Sequence, residues 1–150
     1  MKILIATDAY FPQVNGVVRT LHETGKILKE QGHRIEYITP ELFLTFPMPK
    51  YNEIRISINV WPRVGSLIKK IKPDAIHIAT EGPIGTMARR YCLKNKLKFT
   101  TSFHTRFDKY LKLYFPIIPA KWAEKFLANF HNKAESCLLY TSPSPRDRSL

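Results

Sequence analysis

The apolar run Lys2-Ile-Leu-Ile-Ala-Thr7, closed by the polar Asp8, decides the fold class of this sequence. A short continuous apolar run bounded by polar residues is typical of a strand that is buried on both faces, as in parallel sheets. After a loop that contains Pro12 and Gly16, apolar residues recur with roughly helical spacing until Gly32, which predicts a helix that ends there. The chain therefore opens with a strand, a loop and a helix.

A second predicted strand, Arg34 to Thr39, follows this helix and is closed by Pro40. The three elements have the length of a βαβ unit, in which the two strands lie parallel in one sheet. Further strands are predicted at 53–58, 75–79 and 98–103, and helices at 63–71, 84–95, 107–114 and 120–136. The proline-containing segment 40–52 is predicted to be a surface loop. The pattern predicts an α/β fold, a Rossmann-like parallel sheet flanked by helices.

The bulk composition limits the class of protein. The chain has 150 residues, of which 44% are hydrophobic, and this content is enough for one domain with a real core. A formal net charge of +12 would attract anionic partners of several kinds. The sequence has no zinc-finger spacing, aromatic RNA-binding signature or helix-turn-helix pattern, so we expect no nucleic-acid partner. Cys92 and Cys137 have no metal-ligand or redox spacing, so we expect no metal site.

The apolar segments also bear on location. The longest of them are far shorter than the roughly 20 residues that cross a bilayer, and the N-terminus lacks the apolar core and cleavage site of a signal peptide. We therefore expect a cytoplasmic protein. Lys109, Lys112, Lys121, Lys125 and Lys133 accompany aromatic residues in two predicted amphipathic helices. These residues could form a patch for an anionic membrane surface, or the aromatic residues could belong to the core.

The last stretch, Cys137-Leu-Leu-Tyr-Thr-Ser-Pro-Ser-Pro-Arg-Asp147, changes composition abruptly and resembles the translation of a transposase adapter used in sequencing libraries. We expect residues 1–136 to be an incomplete domain and residues 137–150 to be a non-native tail that contributes nothing to it. The alternative is a genuine short strand followed by a disordered terminus. Residues 137–140 are apolar enough to occupy a strand position by accident.

Three loops follow predicted strands. Ligands of parallel α/β sheets gather beyond the carboxyl ends of the strands, so these loops are the places to seek a site. The first, residues 7–16, ends in Asn15-Gly16 directly before a predicted helix, where exposed amides favour phosphate oxygens. It lacks the spacing G-x-G-x-x-G, which removes the main support for a nicotinamide-dependent oxidoreductase. Asn15-Gly16 alone could equally be an ordinary turn.

The other two loops carry charged side chains. Glu81, in Thr80-Glu81-Gly82-Pro83-Ile84-Gly85, could accept a hydrogen bond from a sugar or polyol hydroxyl, or could complement a helix dipole. His104 and Arg106 follow the strand at 98–103 and could face a phosphorylated ligand, although a lone histidine is more often structural. The remaining histidines, at positions 22, 33, 77 and 131, have no metal-ligand pairing and are interpreted as structural.

Taken together, the segments 7–21, 77–85 and 101–107 resemble the N-terminal domain of family 4 glycosyltransferases, which have the two-domain GT-B architecture. The resemblance spans residues 1–136 and is closest to GDP-mannose-dependent α-mannosyltransferases and glycolipid glycosyltransferases. It implies that the chain is the N-terminal, acceptor-side half of a GT-B fold. It also implies retaining transfer from a nucleoside-diphosphate sugar to a lipid or polyol acceptor, without an obligatory metal and without another cofactor.

The resemblance also implies roles for single residues. His104 would contact the donor sugar or its phosphate at the reaction centre, and Asn15, Gly16 and Arg106 would bind the donor. Many relatives have two glycines where this chain has Asn15-Gly16, so Gly16 is the firmer of the two assignments. Acceptor contacts are expected from Asp8, Tyr10 and Glu81. GDP-mannose is the donor that the resemblance favours, and the sequence leaves the sugar open.

Two further expectations accompany this reading. An enzyme that modifies a lipid would be peripheral on the inner face of the plasma membrane, and the chain without its second domain would be inactive alone. The alternative is a noncatalytic, basic membrane-binding module on a Rossmann-like scaffold. Membrane attraction requires neither Gly16 nor His104, so the coincidence of all three loops favours the enzyme.

Overall fold

The fold was analysed in a computed structural model that describes residues 1–11, 16–48, 51–103 and 120–139. Its strands are β1 (Lys2–Ala6), β2 (Arg34–Ile38), β3 (Thr45–Met48), β4 (Tyr51–Ser57), β5 (Ala75–Ile78), β6 (Thr100–Phe103) and β7 (Ser136–Leu139). Its α-helices are α1 (Gly16–Glu30), α2 (Arg63–Ile71), α3 (Pro83–Lys94) and α4 (Ala120–Asn132), and a 3-10 turn covers Pro40–Leu42.

Five strands form one parallel sheet in the order β2-β1-β5-β6-β7. The α/β Rossmann-like prediction is therefore confirmed. Strand β2 lies on one side of β1, and β5 lies on the other side of β1. The order of the strands thus reverses between β1 and β5, and in open α/β sheets the crevice outside such a reversal is where ligands bind.

Apolar residues fill both faces of this sheet, as the apolar run in β1 predicted. On one face, Leu4, Ile76 and Ile78 pack with Val64 and Ile68 of α2, with α3, and with Phe130 of α4. On the other face, Ile5 and Ile35 pack with Leu21 of α1. Alternate residues of each strand point to opposite faces, so a buried strand needs apolar residues at consecutive positions.

The ends of the helices follow local sequence. Gly32 has a φ of +91°, a left-handed conformation that glycine adopts without steric cost, and its amide donates to the carbonyl of Lys29 at 3.0 Å. The predicted end of α1 is therefore confirmed. Helix α4 ends at Asn132 and not at Ser136, because residue 136 begins β7. The helical stripe predicted at 107–114 lies outside the described residues.

The surface-loop prediction for residues 40–52 is wrong. This segment contains the 3-10 turn and β3, which pairs antiparallel with β4 in a separate two-stranded sheet. Pro47 lies within β3 opposite Arg55. A proline is tolerated there because each strand of a two-stranded sheet has an open edge that needs no amide donor.

Strand β7 pairs with β6 through four aligned residues, from Thr100 with Ser136 to Phe103 with Leu139. Residues 137–139 of the predicted tail therefore extend the main sheet at its edge. Whether residues 137–150 are native stays a prediction, since an apolar segment of any origin can pair with an open strand edge.

Candidate functional site at the carboxyl edge of the sheet

Asp8 and Thr80 join the carboxyl ends of β1 and β5, where the strand order reverses. The Thr80 hydroxyl donates to Oδ2 of Asp8 at 2.7 Å, and the same hydroxyl oxygen accepts from the backbone amide of Asp8 at 2.7 Å. This reciprocal pair fixes the two strand ends against each other at the point where a ligand of this fold class would bind.

The Asp8 carboxylate also caps α3. The amide of Ile84 donates to Oδ1 at 2.8 Å, and the amide of Gly85 donates to Oδ2 at 3.2 Å. The first amides of a helix have no partner within the helix, and Gly82, the residue at the N-cap position of α3, has no side chain that could accept from them. Asp8, which follows β1, therefore accepts the hydrogen bonds that the side chain of a local N-cap residue accepts in other helices.

Several effects act on the protonation of Asp8. Burial raises its pKa above the ordinary value of 3.8, and the nearby charge of Glu81 raises it further. The hydrogen bonds from Thr80, Ile84 and Gly85 act in the opposite direction, since they stabilise the charged form. Burial is the largest of these effects, so the pKa of Asp8 lies above 3.8.

Close approach explains the two glycines of the β5–α3 loop. A Cβ on Gly82 would lie 2.5 Å from the carboxyl carbon of Asp8, and a Cβ on Gly85 would overlap the carbonyl oxygen of Thr80. Gly82 must lack a side chain for Asp8 to reach the start of α3, and Gly85 must lack one for the Thr80 carbonyl to approach the first turn of the helix. No role of Gly82 was predicted from the sequence, because Asp8, which requires it to lack a side chain, is distant in the chain.

Glu81 pairs with a histidine that the sequence analysis interpreted as structural. Nε2 of His131, in α4, lies 2.8 Å from Oε1 of Glu81, and Nδ1 of His131 lies 2.8 Å from the hydroxyl of Thr101 in β6. The side chains of Glu81 and His131 are both largely buried. The pair therefore ties the β5–α3 loop to α4 and β6.

Tyr10 lies on the α1 side of the same edge within an aromatic cluster. Its ring centroid is 4.8 Å from that of Tyr37 and 5.2 Å from that of Phe11. Burial, with a hydrogen bond to Tyr10, raises the pKa of Tyr37. A Cβ on Gly25 would collide with the Tyr37 hydroxyl, so the glycine in α1 leaves room for this cluster. Tyr10 is partly exposed, and its predicted acceptor contact stays a prediction.

His77, another histidine interpreted as structural, bonds to the neighbouring strand. Its Nδ1 lies 2.7 Å from the hydroxyl of Thr100, and its Nε2 lies 3.2 Å from that of Ser102. These contacts link β5 and β6, and they are compatible with the structural interpretation.

The donor side of the predicted site is only partly described. Gly16 is exposed and begins α1, with no described atom within 4 Å of a Cβ built on it. The contact predicted between the amides at the start of α1 and the donor stays a prediction. Asn15, His104 and Arg106 lie outside the described residues, so their predicted roles stay predictions.

The described ranges contain neither a cluster of metal-ligating side chains nor a membrane-spanning helix. Within them, no three or more histidine, cysteine or carboxylate side chains come together as a metal site would require. No helix among the described residues is long and apolar enough to cross a bilayer.

The sequence matches the family model of glycosyltransferase family 4 over residues 14–148. The chain belongs to glycosyltransferase family 4. The family 4 assignment agrees with the parallel α/β sheet.

The curated relatives of this family 4 chain have low sequence identity to it. The alpha-monoglucosyldiacylglycerol synthase of Streptococcus pneumoniae is 23% identical over 74% of this chain and 28% of its own length. A sulfoquinovosyl transferase of Arabidopsis thaliana is 26% identical over 74% of this chain and 24% of its own length. The GDP-mannose-dependent alpha-mannosyltransferase of Corynebacterium glutamicum is 23% identical over 96% of this chain and 39% of its own length. The chain thus spans well under half the length of these relatives.

Proposed function

We propose that this family 4 chain is the acceptor-side part of a retaining glycosyltransferase, which transfers a sugar from a nucleoside-diphosphate sugar to a lipid or polyol acceptor. The observation that carries the proposal is the reversal of strand order between β1 and β5. Ligands of this fold class bind outside such a reversal, and there Asp8 is hydrogen-bonded to Thr80 and to the start of α3.

A lipid acceptor is the more specific form of the proposal. Support comes from the name of the relative that makes monoglucosyldiacylglycerol. GDP-mannose is the proposed donor, supported by the name of the Corynebacterium glutamicum relative and by the resemblance of the three loops. The proposed chemistry uses the amides at the start of α1, together with His104 and Arg106, to stabilise the departing diphosphate without a metal.

The proposed location is cytoplasmic, peripheral on the inner face of the plasma membrane. Two exposed aromatic residues of α4, Trp122 and Phe126, lie beside the exposed Lys121 and Lys125. This combination supports the alternative function as well, a noncatalytic module that binds anionic membranes. The two functions differ in whether the parent protein turns over a sugar donor.

The test is an assay of a full-length parent protein that contains this chain, with GDP-mannose and UDP-glucose as donors and with diacylglycerol and a polyol as acceptors. We expect transfer from one donor with retention of the anomeric configuration, which NMR of the product measures. A folded parent protein that binds no donor and glycosylates no acceptor would contradict the proposal and favour the noncatalytic module.

The role of His104 is tested in the same parent protein. His104→Ala should lower kcat by about 100-fold or more, because a group that contacts the reacting sugar acts on the transition state. It should leave the unfolding midpoint nearly unchanged. His33→Ala, outside the three loops, serves as the matched control with unchanged turnover. Parallel losses of stability and rate in His104→Ala would indicate that the histidine is structural.

A further inference from the structure

The β3–β4 hairpin carries apolar side chains on the face that points away from the protein. Phe46 lies opposite Ile56, and the amide of Ile58 donates to the carbonyl of Leu44 at 2.9 Å. Because side chains alternate along a strand, these four residues share one face. Leu44 is 65% exposed and Ile58 is 58% exposed, whereas their chain neighbours Phe43 and Ser57 are buried.

This pattern inverts the usual one. A hairpin on the surface of a domain ordinarily turns its polar face to water and its apolar face to the core. Here the apolar Leu44, Phe46 and Ile58 are exposed. Leu42 and Trp61, which precede and follow the hairpin in the chain, are exposed as well, Trp61 with 69% of its surface accessible. A contiguous exposed apolar surface marks a place where something else binds, unlike single exposed residues, which are common.

Charge identifies the occupant. Helix α2 begins two residues after Trp61. It contains Arg63, Lys69 and Lys70 but no acidic residue, and Lys72 follows it. The guanidinium of Arg63 lies 5.7 Å from the centre of the Phe43 ring and donates to the carbonyl of Leu42 at 3.1 Å, which holds a positive charge at the base of the hairpin. An apolar face beside positive charge fits an anionic bilayer, whereas a second copy of a chain with net charge +12 would be repelled.

The hairpin is also connected to the candidate site through α3. Strand β4 contacts α3, the helix whose first amides bind Asp8. An apolar surface at this place would bring the acceptor edge of the sheet to the bilayer in which a lipid acceptor resides.

We propose that the outward face of the β3–β4 hairpin, formed by Leu44, Phe46, Ile56 and Ile58 and extended by Trp61, enters the interface of an anionic bilayer. This inference rests on the proposed lipid acceptor for its biological meaning. The binding itself requires neither donor nor turnover. It differs from the patch expected on α4, which lies on a different part of the chain.

The two tryptophans allow the two surfaces to be compared. Trp61 is 69% exposed beside the hairpin and Trp122 is 70% exposed on α4, and the chain has no other tryptophan. Trp122→Phe and Trp61→Phe therefore give two single-tryptophan forms of the 150-residue chain. With phosphatidylcholine vesicles that contain phosphatidylglycerol, we expect the Trp61 emission to shift to the blue and to be quenched by brominated acyl chains. Neutral vesicles or high salt should weaken the response.

Surface variants test the apolar contribution. The double variant Leu44→Ser, Ile58→Ser should lower the vesicle partition coefficient at least about tenfold, since two largely exposed aliphatic side chains no longer leave water. Ile27→Ser, at a 52% exposed position of α1, is the matched control and should leave partitioning unchanged. Thermal unfolding monitored by circular dichroism establishes that each variant is folded.

Three results would overturn the proposal. The first is a response from Trp122 alone, which would place the bilayer at α4. The second is an unchanged partition coefficient in the folded double variant. The third is a chain that does not bind vesicles but self-associates with increasing concentration, where the double variant abolishes the self-association. That result would make the hairpin a protein interface. None of these results depends on glycosyl transfer. The donor assay therefore tests the proposed enzymatic activity independently.

Discussion

The two carboxylates beside the β1–β5 reversal, Asp8 and Glu81, are held by different kinds of partner. Asp8 accepts from two backbone amides of α3 and from the Thr80 hydroxyl. Glu81 pairs with the side chain of His131 in α4. The two amides that bind Asp8 belong to the backbone, so no side-chain substitution in α3 removes them. The partner of Glu81 is a side chain, so a single substitution of His131 would release Glu81.

This difference bears on the acceptor roles predicted for both residues. A carboxylate that caps a helix is required for the fold, so its removal damages stability and activity together. A carboxylate paired with one side chain can be freed without changing its own chemistry. The two regions therefore need different experiments, and in both the acceptor role stays a prediction.

The largest effect is expected at Asp8. Asp8→Ala should lower the free energy of unfolding by about 2 to 4 kcal/mol, because the hydroxyl of Thr80 and two helix-terminal amides lose their acceptor. Asp74→Ala is the matched control. Asp74 is exposed and accepts from the amide of Lys2 at 2.7 Å, so its loss should cost under about 1 kcal/mol. Urea denaturation of both variants measures the difference, and equal losses would contradict the capping role of Asp8.

A smaller effect is expected at the other carboxylate. His131→Ala should cost about 1 to 2 kcal/mol, because Glu81 and Thr101 lose a hydrogen-bonding partner in a largely buried place. A double-mutant cycle with Glu81→Gln separates the pair from the other contacts of His131. The control is His33→Ala, which should change stability by no more than about 0.5 kcal/mol. A coupling energy near zero would show that the two side chains are independent.

The strand next to this pair gives a third prediction. The thiol of Cys137 lies 3.5 Å from Nδ1 of His131, and β7 covers the edge of β6, which carries Thr101. Removing residues 137–150 should therefore cost about 1 kcal/mol and increase light scattering, because the edge of β6 becomes open. The matched control is removal of residues 140–150 alone, which leaves β7 in place. If both deletions leave stability and scattering unchanged, the tail contributes nothing, as its composition predicted.

The smallest effect concerns the charge of Asp8. Thr80→Val should raise its pKa further, since the hydroxyl stabilises the ionised form, and Glu81→Gln should lower it by removing a nearby negative charge. Thr80→Ser retains the hydroxyl and should leave the pKa near that of the parent. Carboxyl chemical shifts followed by NMR titration measure all three. The opposite order of shifts would mean that the Thr80 bond does not act on the charged form.

The same titration predicts a pH dependence of stability. The pKa of Asp8 is raised in the folded chain, so between 3.8 and that raised value the folded state binds more protons than the unfolded state. The contribution of Asp8 to stability therefore falls as pH rises through this window, and Asp8→Asn should remove that slope. Urea denaturation at successive pH values measures it.

Much of the main sheet was predictable because its signals are local. An apolar run such as Lys2–Ala6 predicts a buried strand, and Gly32 predicts the end of α1. β3 was missed because two prolines between apolar residues are typical of a loop, and only pairing with β4 makes Pro47 acceptable in a strand. The outward apolar face of that hairpin was not predicted for the same reason. Inner and outer faces can be assigned only to a segment that is predicted to be a strand.

The candidate site was predictable as a place but not as a set of contacts. The rule that ligands gather at the carboxyl ends of parallel strands located Asp8, Tyr10, Gly16 and Glu81 at one edge. It did not indicate that Asp8 caps α3 or that His131 meets Glu81. Those contacts join residues that are far apart in the chain, and no spacing within a single segment encodes them.

The sequence by itself determined the alternation of strands and helices, the strand-end loops and the positive charge. These depend on hydrophobic periodicity, turn residues and composition, which act over a few neighbouring positions. Only the tertiary structure decided that α3 is capped by Asp8, that Gly82 must lack a side chain, and that the β3–β4 hairpin exposes an apolar face. Each of these depends on which distant backbone or side-chain atoms come within a few ångströms, and that distance is set when the sheet assembles and the helices pack against it.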